Sequence, residues 1–262
     1  DPVGNYNYGT RYPVRMRQTF ARSCYDETLW TSDQDALQVR RRTTPWRTAK
    51  PHLAMGVFTD EEAFSTVVYR FLGGGMVQVS DKLDEVDQDR YDLYKMVIPT
   101  YAPVAERFGR WEDYLPEYFI SHFTGGGGLT PWAVVSLCNW NGKAPKTLSF
   151  RLRDVPGLPP ADTYAAFEFR TQRFLGVFRP DERISMPLGI HAARVIRLTP
   201  IAGSGPWLIG TDLNMSCGME IESLRGGAVA LREPERKFPA KFIFLLSSAG
   251  QVTTQVVEHQ PE

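Results

Sequence analysis

The sequence predicts two fold styles in one chain: an α/β part over residues 1–110 and an antiparallel, all-β part over 111–262. Three observations carry that division. Helix patterns alternate with short strand patterns before residue 110. After it, runs rich in β-branched and aromatic residues follow one another without a helix pattern between them. Gly- and Pro-bearing turns separate those runs, which is the punctuation of an antiparallel sandwich. At 262 residues the chain can form one large domain or two ordinary ones, with a substantial core.

"LWTSDQDALQVRRR", residues 29–42, reads as an extended segment passing into a helix. Asp33 or Ser32 is then the N-cap of a helix beginning at Gln34, and Asp35 either a first-turn partner of the helix dipole or a residue supporting a site from behind. The run Arg40, Arg41, Arg42 is a solvated helix face in this reading. "DEEAFSTVVYRFL" (60–72) has an acidic first turn and apolar residues at helical spacing, so a helix is expected. The glycine-preceded "GGGMVQVS" (73–80) follows as a strand. "DRYDLYKMVIPTY" (89–101) is a second helix pattern, broken at Pro99.

Beyond residue 110 the strand signals are "WAVVSLCNW", "TLSFRLRDV", "TYAAFEFR", "AARVIRLTPI", "AVALRE", "KFIFLLS" and "QVTTQVVE". The turns between them include "NWNGK", "VPGLPP" and "AGSGP". "TGGGG" (124–128) is a loop rather than a phosphate cradle, because no Lys-Ser/Thr and no helix pattern follow it.

Composition narrows the function. The chain is 42% hydrophobic and 23% charged, as ordinary globular proteins are. Its formal net charge of zero removes the long-range attraction that nucleic acid or an anionic membrane would exert as a main partner. Cys24, Cys138 and Cys217 show no CxxC spacing, so neither a disulfide framework nor a zinc site is indicated. The four histidines are scattered, and no metal or organic cofactor is expected. No apolar run is long enough to span a membrane, and "DPVGNYNYG" does not read as a signal peptide, so the compartment stays open.

Four stretches, taken in order, resemble the α-galactosidases of glycoside hydrolase family 36. They are "LWTSDQDALQVRR", "TDEEAFSTVVYRFLGGGMVQVSDKLDEV", "WAVVSLCNWNGKAPKTLSFRLRDVPGLP" and "PWLIGTDLNMSCGMEIESL". The resemblance implies the C-terminal part of a (β/α)8 barrel followed by a β-sandwich. It implies a retaining exo-glycosidase for α-galactosides or close relatives, working with two carboxyl groups on opposite faces of the anomeric carbon. Asp33 aligns with the family's acid/base, placed by the resemblance at the C-terminal end of a barrel strand. Trp30 is open to two readings, a sugar-stacking face or a core residue. Arg22 and Cys24 lie where the family places sugar contacts, although its glycine-rich run is absent there. Asp81, in "VSD", falls at the end of the last barrel strand and either shapes the pocket or caps a helix.

The family's nucleophile segment has no full counterpart, and Asp1 is the one candidate within the chain. A barrel of this type takes about 250 residues, and about 110 precede the sandwich. The expectation is therefore a C-terminal portion completed by an N-terminal segment or partner chain, since a half barrel exposes strand edges and an apolar interior. Two alternatives accompany it: a non-catalytic carbohydrate-binding or scaffolding subunit, and a transglycosylase of the raffinose-synthase type.

Overall fold

The computed structural model describes residue 29 and residues 33–41, 58–110, 115–225, 228–232, 237–248 and 251–261. Antiparallel sheets predominate among them, and helices are few. The chain divides into two compact units. The first comprises Asp1–Phe119, Leu137–Thr147 and Pro187–Ala193; the second comprises Ile120–Ser136, Leu148–Met186 and Arg194–Glu262.

In the first unit, β1 (Asp33–Leu37) and β2 (Met76–Val79) pair in parallel, with Asp33 opposite Met76 and Leu37 opposite Val79. A parallel pair needs a long crossover between its strands. Here α1 (Asp60–Gly73) lies between them in sequence. Its start is written in three residues: the Thr59 hydroxyl accepts the Glu62 N–H at 3.2 Å, and Glu62 accepts the Thr59 N–H at 2.9 Å. Every residue from Ala63 to Gly73 is buried, so α1 is an enclosed helix rather than an amphipathic surface one. The Ser65 hydroxyl donates to the His191 carbonyl at 2.7 Å, and Tyr69 stacks on Trp140 at 4.7 Å. A 3-10 turn (Leu83–Glu85), α2 (Gln88–Lys95) and β3 (Glu106–Phe108) follow β2.

The helix expected from Gln34 does not form; Asp33–Leu37 is a strand. Leu37, Gln38, Val39 and Arg40 are all buried, which no solvated helix face would allow. The pairing that decides this comes from β2, about forty residues away, and local spacing cannot report it. The helix at 60–72 and the strand after it are found within a few residues of expectation, and the second helix ends at Lys95, before Pro99.

The later strands are β4 (Tyr118–Phe123), β5 (Trp132–Cys138), β6 (Lys146–Arg151), β7 (Tyr164–Glu168) and β8 (Arg173–Phe178). They continue with β9 (Arg183–Leu188), β10 (Ala193–Pro200), β11 (Trp207–Thr211), β12 (Ile221–Arg225) and β13 (Ala228–Leu231). The last two are β14 (Ala240–Ser248) and β15 (Gln251–His259). One six-stranded sheet has the order β3-β4-β5-β10-β7-β8, and another sheet the order β11-β14-β15.

The second unit is layered. Trp207 and Ile209 of β11, with Ile243 and Leu245 of β14, pack on Ala165 and Phe167 of β7. The alternate residues Leu208, Phe242 and Phe244 pack on Ile221 and Leu231 of the β12–β13 pair. Period two along β11 and β14 thus feeds two apolar layers, one on each face of the same strands. The expected TGGGG loop is present: Gly126 and Leu129 bridge it, and Cβ atoms at Gly127 and Gly128 would lie 2.2 and 2.1 Å from the Glu222 and Leu224 carbonyl oxygens.

The tightest interlayer approach is at Gly210, where an added Cβ would sit 2.3 Å from the Phe167 ring. Both faces are filled, so the methyl cannot be accommodated without backbone movement. Gly210→Ala is expected to destabilise the protein by about 1–3 kcal/mol, read from the midpoint of urea unfolding.

Candidate functional site

In parallel α/β structures ligands bind beyond the carboxyl ends of the strands. In the first unit that end of β1 and β2 is a buried polar network. The ladder continues past the strands, with the Ser80 N–H donating to the Leu37 carbonyl at 3.1 Å. Asp81 then takes over. Its Oδ2 accepts the Val39 N–H at 2.7 Å and the Tyr94 hydroxyl at 2.6 Å, and its Oδ1 accepts from Arg40 Nη1. Arg40 also donates to Gln38 Oε1 at 2.6 Å, and the Gln38 amide donates to the Ser80 hydroxyl at 2.9 Å. The side chains of Arg40 and Asp81 are 4% and 1% exposed, so this ion pair is out of water.

A second arginine underpins the same rim. Arg90 of α2, 2% exposed, donates to the carbonyls of Val39 at 2.7 Å and Phe58 at 3.0 Å, and to Asp60 at 2.5 Å. The Phe58 N–H in turn donates to the Arg40 carbonyl. Arg41 faces outward and bridges Asp60, Asp87 and Asp89. Arg41 was expected on a helix face; it is exposed, but its neighbour Arg40 is buried, because the two side chains leave an extended backbone in opposite directions.

These contacts set the charges. Hydrogen bonds from Arg41, then from Arg90, hold Asp60 below the usual carboxylate range; Arg41 does the same to Asp89. Burial, then the negative charge of Asp81, pushes the Tyr94 hydroxyl up, so it remains a donor. A general acid at neutral pH needs the opposite displacement, a carboxyl driven up by desolvation or a neighbouring anion. Asp60 and Asp89 are therefore anions in ion pairs. The network is a rigid platform that fixes the strand ends.

The candidate residues fall into three groups against this geometry. Asp33 is the first residue of β1, at its amino end, so the expectation that it closes a strand is corrected for β1; the N-cap alternative fails with the helix. Asp1, Arg22, Cys24 and Trp30 lie outside the described residues. Asp81 does stand at the carboxyl end of β2, with its carboxylate occupied by groups of its own chain rather than facing solvent or capping a helix. Gln38, Arg40, Arg90 and Tyr94 were not singled out from sequence. Arg40 follows Leu37 and Val39 in a run that reads as surface charge, and no local spacing marks it as buried.

No protein-family model matches the chain, and no curated protein sequence does. Solved structures do. A Bacillus halodurans C-125 protein described as an α-N-acetylgalactosaminidase matches with a TM-score of 0.55 at 19% identity, over 72% of this chain and 45% of that one. A GH27 β-L-arabinopyranosidase from Geobacillus stearothermophilus matches with a TM-score of 0.56 at 14% identity, over 74% of this chain and 42% of that one. α-Galactosidase I from Mortierella vinacea matches with a TM-score of 0.50 at 15% identity, over 71% and 44%. This is a likeness of fold. The chain has an α-galactosidase-like fold over most of its length, and it spans less than half the length of these three proteins. The likeness singles out neither family 36 nor a clan.

Removing one partner of a buried ion pair leaves the other charged and desolvated. Asp81→Ala is expected to cost about 3–5 kcal/mol, whereas Tyr94→Phe, which deletes one of three donors, is expected to cost about 1 kcal/mol. Chemical denaturation of both variants beside the wild type checks the ranking.

Proposed function

We propose that this chain forms part of a retaining glycoside hydrolase acting on α-galactosides or related α-glycosides, of the family 36 type, with Asp33 as general acid/base. The observation that carries the reading is the α-galactosidase-like fold, set beside four sequence stretches that follow family order. In this mechanism a carboxylate attacks the anomeric carbon while Asp33 gives its proton to the departing glycosidic oxygen. Asp33 then takes a proton from water, whose oxygen attacks the glycosyl-enzyme and releases the sugar with retained configuration. The nucleophile is Asp1 or a carboxylate from another segment. Trp30, Arg22 and Cys24 line the sugar, and Asp81 acts by holding the rim in place.

A further segment or partner chain completes a (β/α)8 barrel in this reading. Its support is in β2, where Met76 is 49% exposed and Gln78 is also exposed. Parallel strands are ordinarily covered on both faces. A monodisperse folded monomer of this chain alone, by gel filtration and circular dichroism, would count against that part of the proposal.

The second reading is a sugar-binding or scaffolding chain without catalysis. It is favoured by Asp33 opening β1 rather than closing it. Turnover separates the two. In the completed protein Asp33→Asn is expected to lower kcat on an aryl α-galactoside by at least about 100-fold. Unchanged activity in that variant ends the assignment, and galactoside binding by the wild type without hydrolysis selects the second reading.

A further inference from the structure

The second unit contains a buried acid that the proposed chemistry does not use. Glu220 is 0% exposed and immediately precedes β12. Its Oε2 accepts the Gly218 N–H at 2.8 Å and the Ser216 hydroxyl at 3.2 Å. Among the described residues no group hydrogen-bonds its buried Oε1. A desolvated carboxylate with one oxygen unmatched is costly, and taking up a proton removes the charge.

What this carboxyl holds is a tight turn. The Ser216 N–H donates to Asn214 Oδ1 at 2.9 Å, the Cys217 N–H to the Asn214 carbonyl at 2.8 Å, and the Met219 N–H to the Ser216 hydroxyl at 3.2 Å. Cys217 has φ 55°, in the left-handed region that costs a side-chain-bearing residue energy. A Cβ on Gly218 would lie 2.9 Å from both Arg197 Nη1 and the Trp132 ring. Two other strands grip the turn's carbonyls: Trp132 of β5 donates to Ser216 O at 2.8 Å, and Arg197 of β10 donates to Cys217 O.

The groups facing Glu220 are Arg197 from β10, Thr211 from β11 and Cys217 from the turn; Glu168 of β7 faces Cys217 in turn. Burial pushes Glu220 up from 4.5 to about 7, against the pull of its hydrogen bonds and of Arg197. Burial draws Arg197 down to about 10, which leaves it cationic at neutrality, and drives the Cys217 thiol up, which leaves it protonated. Of these three, Glu220 is the one that changes charge near neutral pH.

We propose that the 214–220 turn is a proton-sensitive clasp, closed over a neutral Glu220 and loosened when that carboxyl ionises. Opening admits water to the carboxyl and restores its ordinary acidity. The closed form therefore binds more protons than the open form between pH 4.5 and about 7. Closure is strongest in acid, weakens as pH rises through that window, and levels off above it.

Hydrogen exchange on the full chain tests this, using the Gly218 and Ile221 amides, whose N–H groups are hydrogen-bonded within the turn. After correction for intrinsic exchange, their protection is expected to fall by up to about tenfold per pH unit from about pH 4.5 to about 7, then to level off. Glu220→Gln, which keeps the shape and removes the titration, is expected to flatten that profile. A flat wild-type profile, or an unchanged slope in Glu220→Gln, overturns the proposal. Should the variant fail to fold, carbon-13 NMR of the wild-type Glu220 carboxyl decides: a midpoint near 7 supports the clasp, and one near 4.5 overturns it.

Discussion

Two short parallel strands hold each other weakly, because their ladder is brief and parallel hydrogen bonds are slanted. In the first unit the pairing of β1 and β2 is extended past its last ladder bond by one carboxylate. Asp81 replaces the next backbone acceptor for Val39, neutralises Arg40, and takes the Tyr94 hydroxyl from α2. Three pieces of chain distant in sequence meet on those two oxygens. Arg90 repeats the arrangement with opposite sign, a buried cation satisfied by the Val39 and Phe58 carbonyls and by Asp60. The low dielectric that strengthens the Arg40–Asp81 pair also makes it costly to break, since either partner left alone would remain buried and charged.

The second unit depends on packing instead. β11 and β14 are covered on both faces along Trp207–Ile209 and Phe242–Leu245, so period two no longer sorts inside from outside there. Its polar exceptions sit together where the 214–220 turn folds inward. Arg197 lies 4.6 Å from the Trp132 ring centroid, and Trp132 stacks on Phe123 at 5.0 Å. The cation is stabilised by an aromatic face, a carbonyl and the Thr199 hydroxyl, and among the described residues the Glu220 carboxyl has no direct ionic partner.

Legibility followed the range of the interaction. The helix at 60–73 was readable because its acidic first turn and its apolar spacing are local facts about adjacent residues. The strands near 132, 164, 193 and 240 were readable because burial on both faces leaves continuous β-branched and aromatic runs. β3, β4, β8 and β9 were missed, and β11 and β12 were suggested only by the family resemblance; a histidine, a glycine and a proline interrupt the apolar content of β4, β8 and β9. The segment after Asp33 was misread as helical because what makes it a strand is β2, on the far side of α1.

The same contrast holds at the candidate site. The sequence by itself determined the helix at 60–73, the strand after it, several of the later strands and the presence of an aspartate after the second strand, since each rests on neighbours within a few residues. Only the tertiary structure decided that Arg40 is buried while Arg41 is exposed, that Asp81 spends both oxygens on its own chain, and that Asp33 begins a strand. Those outcomes depend on which surfaces lose water when distant segments meet, and desolvation is a property of the assembled fold.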